Sequence, residues 1–511
     1  MFDLGRTFLA SVARHPNRLA IVDGDKRLSY REWLALCRRL AGGLDALGLK
    51  KGDRLVSILQ NRWEAATLHW ATQLAGIVIT PVNWRAKADE LDRFVRDADA
   101  AAVIFEDISA EAAMSCEAAR TRLKISLGER RDGTYAFNAL LDEVPAEARP
   151  RATAEDLSLM FYTSGTTGPG KGVPRRHRAE RMAALAHIAQ NQYAFHEVTL
   201  GAMPLYHTMG VRSLLSMAII NGTFVCQRRF DAGEALELIE REGVSALYLV
   251  PTLYHDLLAH PHFHKCNLTS VKKLGFAGAS MTEGLLKRVD EAFRPQLFVN
   301  HYGSSEIYTF TIEPQAAKKP GSAGKAGLNT EVRIVKLGSD DPDEVVPSRV
   351  EGQIAVTLDS DEAFEGYWRR PEADAKAIHA GWYFTGDIGF ADEDGDIFVT
   401  GRVDDMIITG GENVLPGEIE SVLSLHPAVG EVAVCGLPHE RLGQAVTAFI
   451  KAIAPVTEAE LDAWCLQSSL AGFKRPRRYM FVTAIPKSPV GKILRRKLIA
   501  GEFETAPTVP G

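Results

Sequence analysis

The feature that most constrains this chain is a run of apolar residues that ends abruptly in a loop of glycines and hydroxyls. Leu157, Leu159, Met160 and Phe161 lead into Tyr162-Thr163-Ser164-Gly165-Thr166-Thr167-Gly168-Pro169-Gly170-Lys171-Gly172. The apolar run reads as a buried strand, and the glycines after it let the backbone take positive φ and approach a ligand closely. Thr163, Ser164, Thr166 and Thr167 add hydroxyl donors, Gly165 and Gly168 add unobstructed backbone, and Lys171 adds a positive charge. That is the chemistry of a polyphosphate cradle. No Gly-Lys-Ser/Thr closes the loop, so it is not a Walker A loop. A surface loop can share this composition, but the strand that feeds it favours the cradle.

The rest of the chain supports a large enzyme. At 511 residues it exceeds what one hydrophobic core sustains, so two or three domains are expected. A net charge of −6 gives no reason to expect nucleic acid or an anionic membrane, which leaves small-molecule partners, with a homodimer left open. Cys37, Cys116, Cys226, Cys266, Cys435 and Cys465 show no CxxC or metal spacing and read as small core residues of a reducing compartment. The first residues lack a signal-peptide core, and no run approaches the roughly 20 apolar residues that span a bilayer, so a cytoplasmic location is expected.

Residues 30–47 place Trp33, Leu34, Cys37, Leu40, Ala41 and Leu44 at helical spacing, with Ser29 as N-cap and Gly48 as a stop. Strand, helix and strand patterns follow over 54–59, 63–75 and 77–82, then a helix over 89–96 and a strand over 101–105. This rhythm predicts an α/β fold: a large N-terminal domain of doubly wound sheets, with ligands at the carboxyl ends of its strands. Residues 128–150 read as a loop-rich connection, and a helix is expected over 178–192. An apolar strand end at 203–210 turns into a helix over 211–220. Further strands are expected at 247–251 and 274–279, and a strand with a polar tip over 297–306. From Gly321 short alternating strands predict a small β subdomain, and residues beyond 403 read as a compact α+β unit.

Taken in order, the 163–171 loop, Tyr302-Gly303-Ser304-Ser305-Glu306, Gly381-Trp382-Tyr383-Phe384-Thr385-Gly386-Asp387, Gly401-Arg402-Val403-Asp404-Asp405 and the tail around Lys492 resemble the adenylate-forming superfamily of acyl-CoA synthetases, nonribosomal adenylation domains and luciferases. Met203-Pro204-Leu205-Tyr206-His207, Phe276-Ala277-Gly278-Ala279, Asp405-Met406-Ile407-Ile408-Thr409-Gly410-Gly411-Glu412-Asn413 and Phe473-Lys474-Arg475-Pro476 are most similar to aryl-CoA ligases of the 4-chlorobenzoate type. The resemblance implies an adenylation domain over 1–403 and a mobile C-terminal domain over 404–511, hinged at Asp404.

It also implies roles for individual residues. The 163–171 loop would hold the departing pyrophosphate of ATP, and Glu306 would bind Mg²⁺. Gly278, Ala279, Ser280, Asn300 and Tyr302, with Gly303, Ser304 and Ser305 on the same tip, match the adenine site; Asp387 and Arg402 match ribose and phosphate contacts. Lys492 matches the lysine that reaches the carboxylate and α-phosphate during adenylation. Arg85, Gly411, Phe473, Arg475 and Arg477 match contacts to coenzyme A, although Leu442 stands where an aromatic platform for its adenine is expected. Phe161, His207, Thr208, Met209, Ala279, His301, Gly303 and Tyr308 match the acid pocket, whose bulky walls and small floor suit a flat ring. His207 reads equally as a core histidine or as a gate over that ring.

The function implied is an AMP-forming ligase that joins a benzoate-, hydroxybenzoate- or furoate-like acid to coenzyme A, using ATP and Mg²⁺. An aryl adenylation enzyme serving a carrier protein and a medium-chain fatty acyl-CoA ligase are the alternatives. A nucleotide sensor without catalysis would lack Lys492 or Glu306, and neither is missing.

Overall fold

The computed structural model describes residues 2–128, 131–143, 150–163, 170–468, 470–487 and 493–506. Among these, the strands form three sheets. The first runs in the order Tyr135–Ala136, Leu123–Ser126, Ala100–Phe105, Arg54–Ile58, Val78–Pro81, Leu157–Thr163, Lys171–Arg176, and is parallel except for its last pair. In the second sheet, strands Leu297–Tyr302, Lys273–Phe276, Ala246–Leu249, Val198–Gly201, Thr223–Cys226 and Leu19–Asp23 are parallel neighbours.

Helices fill the space between these sheets. Helix Trp63–Ala75 is buried at nearly every position, the pattern of an element covered on all sides. Helix Tyr30–Ala46 starts on a capping box in which Ser29 and Glu32 satisfy each other's backbone amides. Trp33 and Trp70 pack edge-on at 6.3 Å, and Phe8 stacks on Trp70 at 4.5 Å. The core around them takes side chains from both sheets, among them Leu55 and Ile104 from one and Ile21 and Phe224 from the other. Full burial of each such large side chain contributes about 1.5–3 kcal/mol.

Two features complete this outline. Strand Lys171–Arg176, which precedes helix His177–Gln190, pairs antiparallel with Leu157–Thr163. Gly170 sits where a Cβ would fall 2.6 Å from the Thr163 carbonyl oxygen, which fixes glycine at the start of that pairing. The expected small β subdomain is present as antiparallel strands. Strand Ser322–Ala326 pairs with both Thr311–Glu313 and Ile397–Arg402, carrying these strands onto the edge of the second parallel sheet.

The third sheet holds Glu412–Val414, Ile407–Thr409, Gly443–Ala452, Val429–His439 and Arg478–Phe481. Helices Pro416–Ser424 and Glu458–Leu466 pack on it over a core that includes Ile419, Val434, Ile450 and Leu461. The described cysteines are unpaired; all are buried except the half-buried Cys266. No helix among the described residues is long and apolar enough to cross a membrane.

Candidate active site

The carboxyl ends of the parallel strands carry most of the predicted site. Strands Lys273–Phe276 and Leu297–Tyr302 run side by side with Phe276 opposite Asn300, which sets the exposed Gly278, Ala279 and Ser280 next to the tip at Asn300 and Tyr302. Gly278 takes φ +82°, a left-handed conformation that explains glycine at that turn. The Asn300 side chain is already engaged, its Nδ2 donating to the Ser322 carbonyl at 2.8 Å.

Asp387 is gripped from two sides. It lies opposite Arg402 in the antiparallel pair Trp382–Ala391 and Ile397–Arg402. Arg402 Nη1 donates to Asp387 Oδ1 at 2.6 Å, and Tyr302 Oη donates to Asp387 Oδ2 at 2.6 Å. Burial and the facing carboxylate push the Tyr302 hydroxyl well above its ordinary range, so it stays protonated and donates. Each carboxylate oxygen has a second lone pair, so Asp387 can still accept from ligand hydroxyls.

Glu306 is buried rather than solvated. Its Oε1 accepts from Tyr367 Oη at 2.7 Å, and no Lys, Arg or His among the described residues lies within ion-pair distance of it. The Lys171 ammonium rests over the Tyr367 ring, 4.0 Å from its centre. Arg175, on the strand leaving the hairpin, donates to the Glu306 carbonyl at 2.8 Å and to Glu180 Oε1 at 2.8 Å. Lys171, Tyr367 and Glu306 thus join the hairpin to the polar tip at 303–306. A buried carboxylate with a neutral donor on one oxygen suits a hard cation that takes one protein ligand, so Glu306 fits the Mg²⁺ role. By contrast, the cluster of Asp392, Asp394 and Asp396 already holds the Lys319 ammonium, whose Nζ lies 2.6 Å from Asp392 and 2.5 Å from Asp396.

The predicted acid-pocket residues lie on or just beyond four elements, Ala279 following strand Lys273–Phe276. Helix Thr208–Ile219 carries buried Thr208 and Met209 behind His207, whose Nδ1 caps the Met209 amide at 3.4 Å. Phe161 and Tyr308 are buried with ring centres 6.4 Å apart. Gly303 has no room for a side chain: a Cβ would fall 2.1 Å from the Tyr308 carbonyl oxygen. His301 is buried, with Nε2 3.1 Å from Asn191 Oδ1.

Sequence reading missed the buried polar residues that pack next to these side chains. Arg212 lies one helical turn beyond Thr208 and is 2% exposed. It donates to Thr309 Oγ1 at 2.7 Å and to Tyr248 Oη at 2.6 Å, and no carboxylate among the described residues pairs with it. Arg175 lies over the Tyr308 ring at 4.1 Å. The legible signal was charge inside otherwise apolar elements, Arg212 in Val211-Arg212-Ser213-Leu214-Leu215 above all.

In the third sheet's unit, Gly411 takes φ +88° and its neighbour Gly410 donates from its amide to the Leu442 carbonyl at 2.9 Å. Phe473 is exposed, Arg475 Nε lies 2.9 Å from Asp462 Oδ1, and Arg477 Nη2 donates to the Gly472 carbonyl at 3.2 Å. Arg85 lies apart, over the Trp84 ring at 3.7 Å, and no hydrogen bond or ion pair among the described residues joins it to that group. Asp404 sits in the short turn Val403–Asp405 that leads into this unit. Ser164, Gly165, Thr166, Thr167, Gly168 and Lys492 lie outside the described residues.

Comparisons with known proteins give the family of the chain. Residues 8–368 match the family described as AMP-binding enzyme, and residues 418–492 match the AMP-binding enzyme C-terminal domain. A 4-chlorobenzoate–CoA ligase of Arthrobacter sp. is 34% identical over 499 residues, covering 96% of this chain and 93% of the relative. A long-chain-fatty-acid–CoA ligase of Mycobacterium tuberculosis is 32% identical, covering 94% and 95%. The crystal structure of an anthranilate CoA ligase in complex with anthranoyl-AMP superposes with a TM-score of 0.91 at 26% identity, covering 98% of this chain and 97% of the other. This chain therefore belongs to the AMP-binding, adenylate-forming enzymes, in their ATP-dependent acid–thiol ligase branch.

Proposed function

We propose that this enzyme activates a small ring-bearing carboxylic acid as its acyl adenylate and then transfers the acyl group to coenzyme A. The observation that carries the reading is the buried polar floor of the acid pocket. Arg212, Tyr248, Thr309, His301 and Tyr308 cluster beneath Phe161 and the Gly303 turn, an environment hostile to a long alkyl chain.

A carboxylate is a poor electrophile, since its charge repels a thiolate and its leaving group would be oxide. Attack on the α-phosphate of ATP forms the acyl–phosphate bond and releases pyrophosphate, so two anions must be held together. Asp387, fixed by Tyr302 and Arg402, would accept the ribose hydroxyls while the strand tips at 278–280 and 300–302 flank the base. The hairpin tip and Lys171 would hold the leaving phosphates, and Lys492 would place positive charge between carboxylate and α-phosphate. Magnesium, when bound, supplies charge neutralisation for the leaving pyrophosphate, and Glu306 is the residue to hold it. In the second step the thiolate of coenzyme A attacks the acyl carbon and AMP leaves. The unit beyond Asp404, with Gly411, Phe473, Arg475 and Arg477, would turn to present the thiol.

The test is pyrophosphate release across benzoates, furoates, cinnamates and C6 to C12 acids, each with and without coenzyme A. Highest kcat/KM for a ring acid with CoA-dependent turnover is expected; best turnover of an alkyl acid, or transfer only to a carrier protein, would overturn the reading.

A further inference from the structure

Strand Lys171–Arg176 presents one face to the turn that carries Glu306. Side chains alternate along a strand, so Lys171, Val173 and Arg175 share that face. Val173 is buried in one core cluster with Ile307 and Phe310. At one end of the face Lys171 rests over the Tyr367 ring, and the Tyr367 hydroxyl donates to Glu306 Oε1 at 2.7 Å. At the other end Arg175 Nη1 donates to the Glu306 carbonyl at 2.8 Å. One strand thus reaches the same glutamate through its carboxylate and through its backbone.

The Glu306 carbonyl also accepts from the Phe364 amide at 2.9 Å, so both of its lone pairs are filled. The Glu306 amide donates within its own turn, to Ser304 Oγ at 3.2 Å. Apart from Ser304 and Arg175, the holds on Glu306 come from Phe364 and Tyr367, a single short segment.

Arg175 is itself aimed. Its side chain and that of Glu180 are 0% exposed, and its Nε donates to Glu180 Oε1 at 2.8 Å. Glu180 stands in the first turn of helix His177–Gln190, where the helix N-terminus favours a carboxylate. The guanidinium lies over the Tyr308 ring at 4.1 Å, and the Tyr308 hydroxyl faces Glu180. With Nε engaged and one face covered, Nη1 has a fixed direction, toward Glu306. Burying an ion pair is costly, and apolar side chains of similar size would pack this core as stably. Packing alone therefore does not account for a charge at this position.

We propose that Arg175 is a positioning residue for the divalent cation: it holds the peptide of Glu306 so that the carboxylate meets the metal in one orientation. This rests on the reading that Glu306 binds Mg²⁺. Arg175 exerts the role through Glu306, as a partner behind a ligand does.

The experiment is Mn²⁺ affinity, read from the EPR signal of the free ion, for the whole enzyme with α,β-methylene-ATP, whose α–β bridge cannot be cleaved. Arg175→Met/Glu180→Gln removes both charges and leaves the Tyr308 hydroxyl an acceptor. This variant should melt as the unmodified enzyme does, yet bind Mn²⁺ about 10-fold more weakly. The Mg²⁺ concentration for half-maximal pyrophosphate release should rise with it, while KM for the acid changes less. If the double variant does not fold, Arg175→Lys decides, because one ammonium in place of the guanidinium fork can keep Glu180 but not the Glu306 carbonyl as well. Unchanged Mn²⁺ affinity in the variant that folds would make Arg175 a packing residue and overturn the proposal. Glu306→Gln separates the two claims. Mn²⁺ binding as tight in Glu306→Gln as in the unmodified enzyme would overturn the magnesium reading and the proposal with it; weakened binding there, with unchanged binding in the Arg175 variants, would overturn the proposal alone.

Discussion

Tyr302 Oη donates to Asp387 Oδ2 at 2.6 Å, a side-chain bond between the last parallel strand of the second sheet and the antiparallel strands paired onto its edge. It fixes the carboxylate that the ribose would meet. Asp387→Ala should raise KM for ATP by about 10- to 100-fold, the equivalent of one or two charge-assisted hydrogen bonds, with a smaller change in KM for the acid. Initial-rate kinetics with each substrate varied checks this, and an unchanged KM for ATP would remove Asp387 from the nucleotide site.

Helix Arg495–Ile499, near the end of the chain, is anchored at its first residue. Arg495 donates from Nη2 to both Glu420 oxygens at 2.6 and 2.8 Å, and from Nη1 to Asp405 at 3.3 Å. Breaking such a partly buried pair leaves an uncompensated charge and costs several kcal/mol. Arg495→Met should lower the melting transition of the C-terminal unit, whereas Lys492→Ala should not. Lys492→Ala should instead abolish adenylate formation and spare thioester formation from supplied acyl adenylate. Calorimetry and the two half-reactions measured separately test both claims; equal loss of both half-reactions in Lys492→Ala would contradict its role.

The turn Val403–Asp405 is the short link between the sheet edge and the C-terminal unit. Proline at Asp404 fixes one φ angle there. Asp404→Pro should disturb one half-reaction at least several-fold more than the other, because only one orientation of the unit would tolerate the fixed angle. Equal rates for both half-reactions, as in the unmodified enzyme, would show that no hinge lies at this position.

Buried histidines set an acid limit on stability. Burial holds His69 down to about 3, His177 down to about 4, and His187 and His301 well below the usual range. The unfolded chain protonates the same rings near pH 6.5. Between there and the folded-state values the unfolded state binds more protons, so stability falls as pH drops, by up to about 1.4 kcal/mol per pH unit for each ring. Glu362, whose pKa burial raises, works in the opposite direction and offsets part of this. Unfolding monitored from pH 7 to pH 5 should show a falling midpoint, and His69→Gln should flatten the slope. A midpoint independent of pH in that window would mean these rings are protonated in the native state.

Much of this was legible in the sequence because local rules suffice for it. The helix after Ser29 and the strand before Thr163 follow from a cap and an apolar run. The site motifs stand at strand ends, where an α/β fold concentrates chemistry. What could not be read was partnership across the chain. Nothing local says that Arg175 fastens the carbonyl of Glu306, or that Tyr367 covers its carboxylate. The strand Lys171–Arg176 was hidden because Pro174 and two arginines break the expected alternation, although Arg175 is buried against Glu180. Arg212 was hidden for a related reason: a charged residue in an apolar helix reads as exposed until its hydroxyl partners are seen.

The most direct measurement is the product formed from ATP, coenzyme A and a ring acid. Stoichiometric AMP, pyrophosphate and acyl-CoA thioester, with the acyl adenylate trapped when coenzyme A is withheld, is the result this account predicts. Release of ADP and phosphate, or a thioester formed without pyrophosphate, would contradict it.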